Sequence, residues 1–420
     1  MLRSLECLDC RQVMPLAEHY NCPECAGELK LSYEYAAIRR RGEFARNWRS
    51  SESIFSRFGE LLPHASASSA ITLGEGNTPL IRAGNLENRL SPRELYLKLE
   101  CCNPTGSFKD RQVSVGITVA RSFGRRRFAV TSSGNVGNSL AAYAARSGTS
   151  AYVWVSQNTP AAKRRQIDVY GSRVFEIESG HRRDDEDAFD NSYEIAVRAL
   201  PSFCRRNRLV PMTSARPVNP FMVEGAKTIA YEICADLGCC PDVVAAPVGG
   251  GGLVGGLSEG FRDLREIGLT DRVPRIVAGQ PLDYFAGIDK VDDPDCKGAR
   301  PLDANWAVES IRNSGGNLHR LARSEILAAQ AELAATEGIF AEPRGAYALA
   351  ALAAEAGTGR IGNGTVAVVI VSGTGLKDMA AAAEFATRHN LVSSSKVSSI
   401  WDSKLDPELE TRKSHHSEGG

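Results

Sequence analysis

Neither sign of charge prevails in this chain of 420 residues, which carries 50 Lys and Arg against 50 Asp and Glu. That balance gives no general attraction to nucleic acid or to an anionic membrane, so neither is expected as a partner. Long hydrophobic runs are missing too: no stretch approaches the ~20 apolar residues needed to cross a bilayer. The N-terminus, MLRSLECLDC, lacks the apolar core of a secretory signal, which makes the cytoplasm the expected location. No repeat of fixed period stands out. The eleven cysteines do not make a disulfide framework, since seven are scattered as reduced thiols would be.

The remaining four cysteines are the exception. CLDC and CPEC place Cys7, Cys10, Cys22 and Cys25 in two C-x-x-C knuckles. Each knuckle can wrap two thiolates around one side of a tetrahedral zinc ion, and four protein ligands leave no open position for catalysis. A structural zinc ribbon over residues 1–30 is the expectation, against a ribbon without metal or a redox pair. Hydrophobic residues at 43% and charged residues at 24% suit a soluble globular protein, and domains of roughly 100–150 residues imply two or three units. Residues 31–70 look helical and then loose, and are expected to be a connector. From about residue 71 to 390, apolar β-rich runs such as RRFAVTSS, AYVWVS, PDVVAAPVG, RIVAGQ and TVAVVIVSG alternate with Ala-rich helical stretches. That alternation predicts parallel sheets flanked by helices. The tail over 391–420 changes character and reads as a loosely docked extension, with His415 and His416 in a solvated terminus.

Four stretches carry chemistry. In NPTGSFKDR (103–111), Lys109 sits where the strand ELYLKLE gives way to the helix QVSVGITVA. Ligands of open α/β sheets bind at such places. The positive end of a helix should also depress the pKa of a lysine and favour the neutral amine that Schiff-base chemistry needs. In TSSGNVGNS (131–139), hydroxyls and a glycine turn precede a helix whose N–H groups can hold an anion, and Asn135 could donate to an oxyanion. In PVGGGGLVGGL (247–257), four glycines after a buried strand leave backbone free to wrap a phosphate, without the G-K-[ST] of a P-loop. In VVIVSGTGLKD (368–378), a strand delivers Ser372, whose hydroxyl could reach a heteroaromatic nitrogen.

Together with LGEGNTPL (73–80) and RPVNPFMVEGAKTIAYEI (216–233), these stretches resemble fold-type-II pyridoxal-phosphate enzymes of the tryptophan synthase β-like superfamily, threonine synthases above all, over about 71–390. The resemblance implies two α/β domains with parallel sheets: a large cofactor domain from 71–114 and 211–390, and a small inserted domain over 115–210. It implies that Lys109 binds pyridoxal 5'-phosphate as a Schiff base. Asn135 would bond the cofactor's ring oxygen, Gly249, Gly250, Gly251, Gly252 and Leu253 would cradle its phosphate, and Ser372 would face the pyridine nitrogen. Thr105, Ser132 and Ser133 would be candidates for the substrate's carboxylate or phosphate. The implied reaction turns O-phosphohomoserine and water into threonine and phosphate. Relatives are often homodimers.

The pattern departs in three places. Threonine synthases usually read TGHGLKD where this chain has SGTGLKD, with Thr374 at the His position. Their phosphate loop is less purely glycine. Their EPASAA becomes EPRGAY (342–347), adding Arg344 and Tyr347. These changes keep a cysteate synthase, or another β/γ-replacement enzyme for a phosphorylated or phosphonate amino acid, as alternatives. So does a catalytically silent relative acting as a binding protein. Arg111, Lys163, Arg164 and Arg165 could serve an anionic substrate, although solvated helix charges are the better reading for 163–165.

Overall fold

A computed structural model of the chain describes residues 3–50, 52–63, 66–132, 134–157, 159, 161–177, 192–282 and 301–379. Ser133 and the tail expected over 391–420 lie outside them. Short strands β1 (Arg3–Cys7), β2 (Val13–Pro15) and β3 (Leu29–Tyr33) pair antiparallel in the order β2-β1-β3. In β3, Leu29, Leu31 and Tyr33 point inward and alternate with Lys30 and Ser32, the period of a half-buried strand. Residues 31–70, expected to be helical and then loose, are helical over much of their length. They complete β3 and then form helices Tyr35–Arg41, Glu43–Asn47 and Ile54–Phe58. Phe44, Trp48, Ile54, Phe55 and Phe58 are buried there, and the Phe44 and Phe58 rings pack on Tyr231 at 5.4 and 5.1 Å. Apolar side chains at helical intervals, rather than the loose composition around them, decide the outcome.

The alternating region builds two sheets. Its strands are β4 (Leu80–Arg82), β5 (Glu94–Lys98), β6 (Arg127–Thr131), β7 (Ser150–Ser156), β8 (Arg173–Ile177), β9 (Val210–Pro211), β10 (Val243–Pro247), β11 (Arg275–Pro281), β12 (Asn317–Leu321) and β13 (Val366–Ile370). One sheet runs β12-β11-β10-β13-β5-β4, the other β8-β7-β6-β9. The four-stranded sheet is parallel throughout. The six-stranded sheet is mixed, because β4 pairs antiparallel with β5 at its edge; strand–helix alternation alone predicts parallel strands throughout. β10 and β13 are buried at every position, as central strands covered on both faces must be. No helix among the described residues is long and apolar enough to cross a membrane.

This topology gathers the four chemical stretches. Ser372 follows β13, the four glycines follow β10, Ser132 follows β6, and the helix Lys109–Ser122 begins a short way beyond β5. All lie past the carboxyl ends of parallel strands, the place where ligands of α/β sheets bind in a crevice.

Candidate active site

Lys109 opens the helix Lys109–Ser122. The turn before it is fixed twice: Asp110 accepts from the Thr105 N–H and hydroxyl, both at 2.6 Å, and the Phe108 N–H donates to the Ser372 carbonyl at 3.1 Å. The second bond ties the lysine's loop to the end of β13. The Lys109 Nζ lies 3.0 Å from Gln112 Oε1, one helical turn on, and 2.7 Å from Ser214 Oγ. It also sits 4.3 Å from the centre of the Phe108 ring. Burial lowers the Lys109 amine to about 7, and the Arg344 guanidinium pushes it the same way against a smaller opposing pull from Asp303. The depressed amine expected from a helix start is present, but desolvation and a second cation are its causes.

Asn135 opens the helix Asn135–Arg146. Its Nδ2 donates to Glu342 Oε1 at 2.7 Å, and its Oδ1 accepts from Lys377 Nζ at 3.1 Å. A side chain on Gly373 would displace this contact, since a Cβ would fall 2.4 Å from Glu342 Oε1. Burial lowers Lys377 from its ordinary value, with Glu342 and Asp110 opposing. Lys163 differs from the solvated charge expected of it. Its side chain is 14% exposed and points across the crevice to Glu342 Oε2 at 3.7 Å. Arg164 does pair on the surface, with Glu176. Arg111 does not line the crevice at all: it is fully buried among Glu100, Glu232, Thr228 and Thr78.

The glycine stretch turns into the helix Gly252–Glu266. Gly251 has φ +104°, and a Cβ on it would lie 2.4 Å from the Asp303 carbonyl oxygen. Only glycine fits that turn. Beside it stands Asp303, which burial raises to about 7 while the Arg216 N–H and charge oppose. Arg344 Nη1 lies 3.6 Å from where a Gly249 Cβ would be. The Ser132 hydroxyl accepts from the N–H groups of Gly134 and Gly137 at 3.3 and 3.2 Å, so it shapes its own turn and keeps its proton to donate. Ser372 is buried.

Residues 71–373 match the family described as pyridoxal-phosphate dependent enzyme. This chain belongs to that family. The threonine synthase of Methanocaldococcus jannaschii is 34% identical over 393 residues, covering 90% of this chain and 93% of that protein. The threonine synthase of Halalkalibacterium halodurans is also 34% identical, covering 79% of this chain and 90% of its own. Maize serine racemase superposes with a TM-score of 0.58 at 21% identity, over 76% of this chain and 94% of that one, a likeness of fold.

The residues gathered here fit the cofactor of that family. A side-chain-free cradle at a helix N-terminus suits a phosphate, and a lysine neutralised near pH 7 suits a carbonyl carbon. Gly249 to Gly252, Leu253, Lys109, Asn135 and Ser372 could hold the cofactor. Sequence reasoning missed Ser214, Asp303 and Gln112. Only Gln112 left a trace, in its i, i+3 spacing from Lys109.

At the other end, the four cysteine sulfurs lie within 4.8 Å of one another, a set that could hold a metal ion. The Cys10 N–H, 3.5 Å from the Cys7 sulfur, lowers that thiol to about 7. Arg11 and Ala26 take positive φ at the ends of the two knuckles.

Proposed function

We propose that the chain is a threonine synthase, converting O-phosphohomoserine and water to threonine and phosphate. The observation that carries this is 34% identity to a threonine synthase over 90% of the chain, well beyond residues 71–373. Pyridoxal phosphate, when bound, supplies an electron sink for charge developing beside the substrate's amino group. In our reading Gly249, Gly250, Gly251, Gly252 and Leu253 hold its phosphate, Lys109 holds it covalently, Asn135 donates to its ring oxygen and Ser372 faces its ring nitrogen.

Lys109 then does the proton work. A neutral amine near pH 7 can take a proton at Nζ and return it, and one group serving as base and acid is most efficient with its pKa near the working pH. Gln112 and Ser214 fix where Nζ stands. Thr105, Ser132 and Ser133 are our candidates for the substrate's carboxylate or phosphate. The Ser132 hydroxyl proton supports that role, whereas the Thr105 hydroxyl and N–H are both already donated to Asp110. Lys377 and Lys163 add positive charge at the same crevice. We assign a structural zinc ion to Cys7, Cys10, Cys22 and Cys25, supported by their convergence.

A second reading is favoured by Arg344. Its guanidinium stands beside Gly249 and acts electrostatically on Lys109, where it would meet an extra anion. That would suit a cysteate synthase or another replacement enzyme on a phosphorylated or phosphonate amino acid. A substrate panel separates the readings. Phosphate release from O-phosphohomoserine alone supports threonine synthase. Release from O-phosphoserine that requires sulfite, with none from O-phosphohomoserine, overturns it in favour of the relative. A chain that gains no visible absorbance with the cofactor is neither.

A further inference from the structure

The cysteine cluster is not an isolated appendage. Its second knuckle is closed by the Cys22 N–H to the Gly27 carbonyl and the Ala26 N–H to the Cys22 carbonyl, both at 2.9 Å. The first knuckle holds on to it, because the Leu8 N–H donates to the Glu28 carbonyl at 2.8 Å. The position of Glu28 therefore depends on both knuckles staying together. Besides the Glu18–Arg125 pair and the packing of Tyr20 on Phe221, the cluster reaches the body of the chain at two adjoining residues. Asn21 Nδ2 donates to the Pro217 carbonyl at 3.2 Å, and the Glu28 carboxylate pairs with the Arg216 guanidinium.

Arg216 links this contact to the glycine loop. Its guanidinium stacks over Trp306 at 4.1 Å, and its backbone N–H donates to Asp303 Oδ1 at 2.9 Å. Asp303 in turn forms one wall of the loop. Its N–H donates to the Gly250 carbonyl at 3.2 Å, and its Oδ2, buried and without a hydrogen-bond partner, lies 2.8 Å from where a Gly252 Cβ would be. Two residues before Arg216, Ser214 Oγ meets the Lys109 Nζ at 2.7 Å. Residues 214–217 thus touch the cysteine knuckle at one end, and Lys109 and the phosphate loop at the other.

We propose that a thiophilic divalent cation held by Cys7, Cys10, Cys22 and Cys25 is coupled to cofactor binding through Glu28, Arg216 and Asp303. The inference rests on the proposed zinc and pyridoxal-phosphate sites. Metal ligation draws the four thiolates together, and the free energy of closing the knuckles becomes order in the segment they touch. That order holds Arg216 against Glu28, keeps Asp303 along the glycine loop and presents Ser214 to Lys109. The cofactor then finds a loop already shaped, and by linkage its binding tightens the metal site by the same factor. Arg216 and Asp303 are positioning residues in this scheme.

The test is a thermodynamic cycle on the full chain. Bound metal is quantified on the purified holoenzyme, then removed with a chelator, and the affinity for pyridoxal phosphate is read from its visible absorbance with and without added zinc. We expect metal removal to weaken cofactor affinity about tenfold, within the roughly 5- to 150-fold range of site-to-site coupling, and cofactor removal to weaken zinc affinity equally. In Arg216→Gln the cofactor should bind more weakly with metal present, and metal removal should have little further effect. Glu28→Gln, a milder change at a partly exposed side chain, should reproduce the loss of coupling if Arg216→Gln folds poorly. A chain that takes up zinc but binds cofactor equally well without it overturns the coupling and leaves both site assignments standing. Full coupling retained in Glu28→Gln overturns the route through Glu28. A chain that takes up no zinc at the cluster overturns the metal assignment and this proposal with it.

Discussion

Lys109 and Arg111 stand two residues apart on one helix, the first partly and the second wholly withdrawn from water, and they meet opposite electrostatic fates. Positions two apart face different ways on a helix. Arg111 enters a pocket where Glu100 and Glu232 each grip it with two oxygens, at 2.7 to 2.8 Å. Burial works against its charge, but the two carboxylates overcome it and hold the guanidinium above its ordinary value. Glu232 is held below its ordinary value against the same burial, by Arg111 and by Lys98 at 2.8 Å. Lys109 turns instead toward Arg344, Ser214 and Gln112. The carboxylate that opposes the shift, Asp303, is itself pushed up to about 7 and so is only partly ionised near neutral pH. Burial alone decides neither case. Paired carboxylates turn a buried cation into structure, and their lack turns one into a reactive amine.

The contrast is tested hardest at Lys109. Lys109→Ala should lower turnover by at least ~10²- to 10⁴-fold, the usual worth of a positioned acid–base group, while circular dichroism and the unfolding midpoint stay near wild type. Activity retained in that variant would refute the assignment. Arg111→Met should do the reverse. Leaving Glu100 and Glu232 buried without their partner should cost about 3–5 kcal/mol in urea unfolding, with cofactor absorbance per folded molecule preserved. The sign with pH follows from Glu232. Its carboxylate titrates below the ordinary 4.5 in the folded chain, so the network's stabilisation is complete above about pH 4.5 and fades as the pH falls below it. Acid unfolding that begins later in Arg111→Met than in wild type would contradict that.

Smaller effects probe the Lys109 side. Arg344 lowers the lysine by repulsion, so Arg344→Met should raise it. The neutral fraction at pH 7 then falls, and the pH profile for capture of pyridoxal phosphate by the apoprotein moves to higher pH; an unmoved profile would remove Arg344 from the account. Gln112→Ala deletes one contact to Nζ at 3.0 Å. A hydrogen bond worth roughly 0.5–1.5 kcal/mol predicts a turnover loss of about two- to tenfold, measured as kcat with KM little changed.

Much of the site was legible in the residues themselves. Lys109, Asn135, the glycine stretch and Ser372 each follow a readable strand or open a readable helix, and the fold brings all of them to strand ends. The mixed edge of the larger sheet was not legible, because β4 is three residues long and its direction depends on pairing with β5. The burial of Phe44, Trp48, Ile54, Phe55 and Phe58 was obscured by the charged residues between them. Ser214 went unnoticed because its contact with Lys109 spans 105 positions, and nothing in TSARPV marks it.

The order of strands and helices, the four chemical stretches, the cysteine knuckles and the resemblance that names the cofactor are all written in the residues. These are local matters of periodicity, turn chemistry and motif. Folding settled that Lys109 is lowered to about 7, that Arg111 is structural, and that the cysteine cluster leans on the loop beside Lys109. Protonation and coupling depend on desolvation and on charges carried in from distant parts of the chain, and those distances exist only after folding.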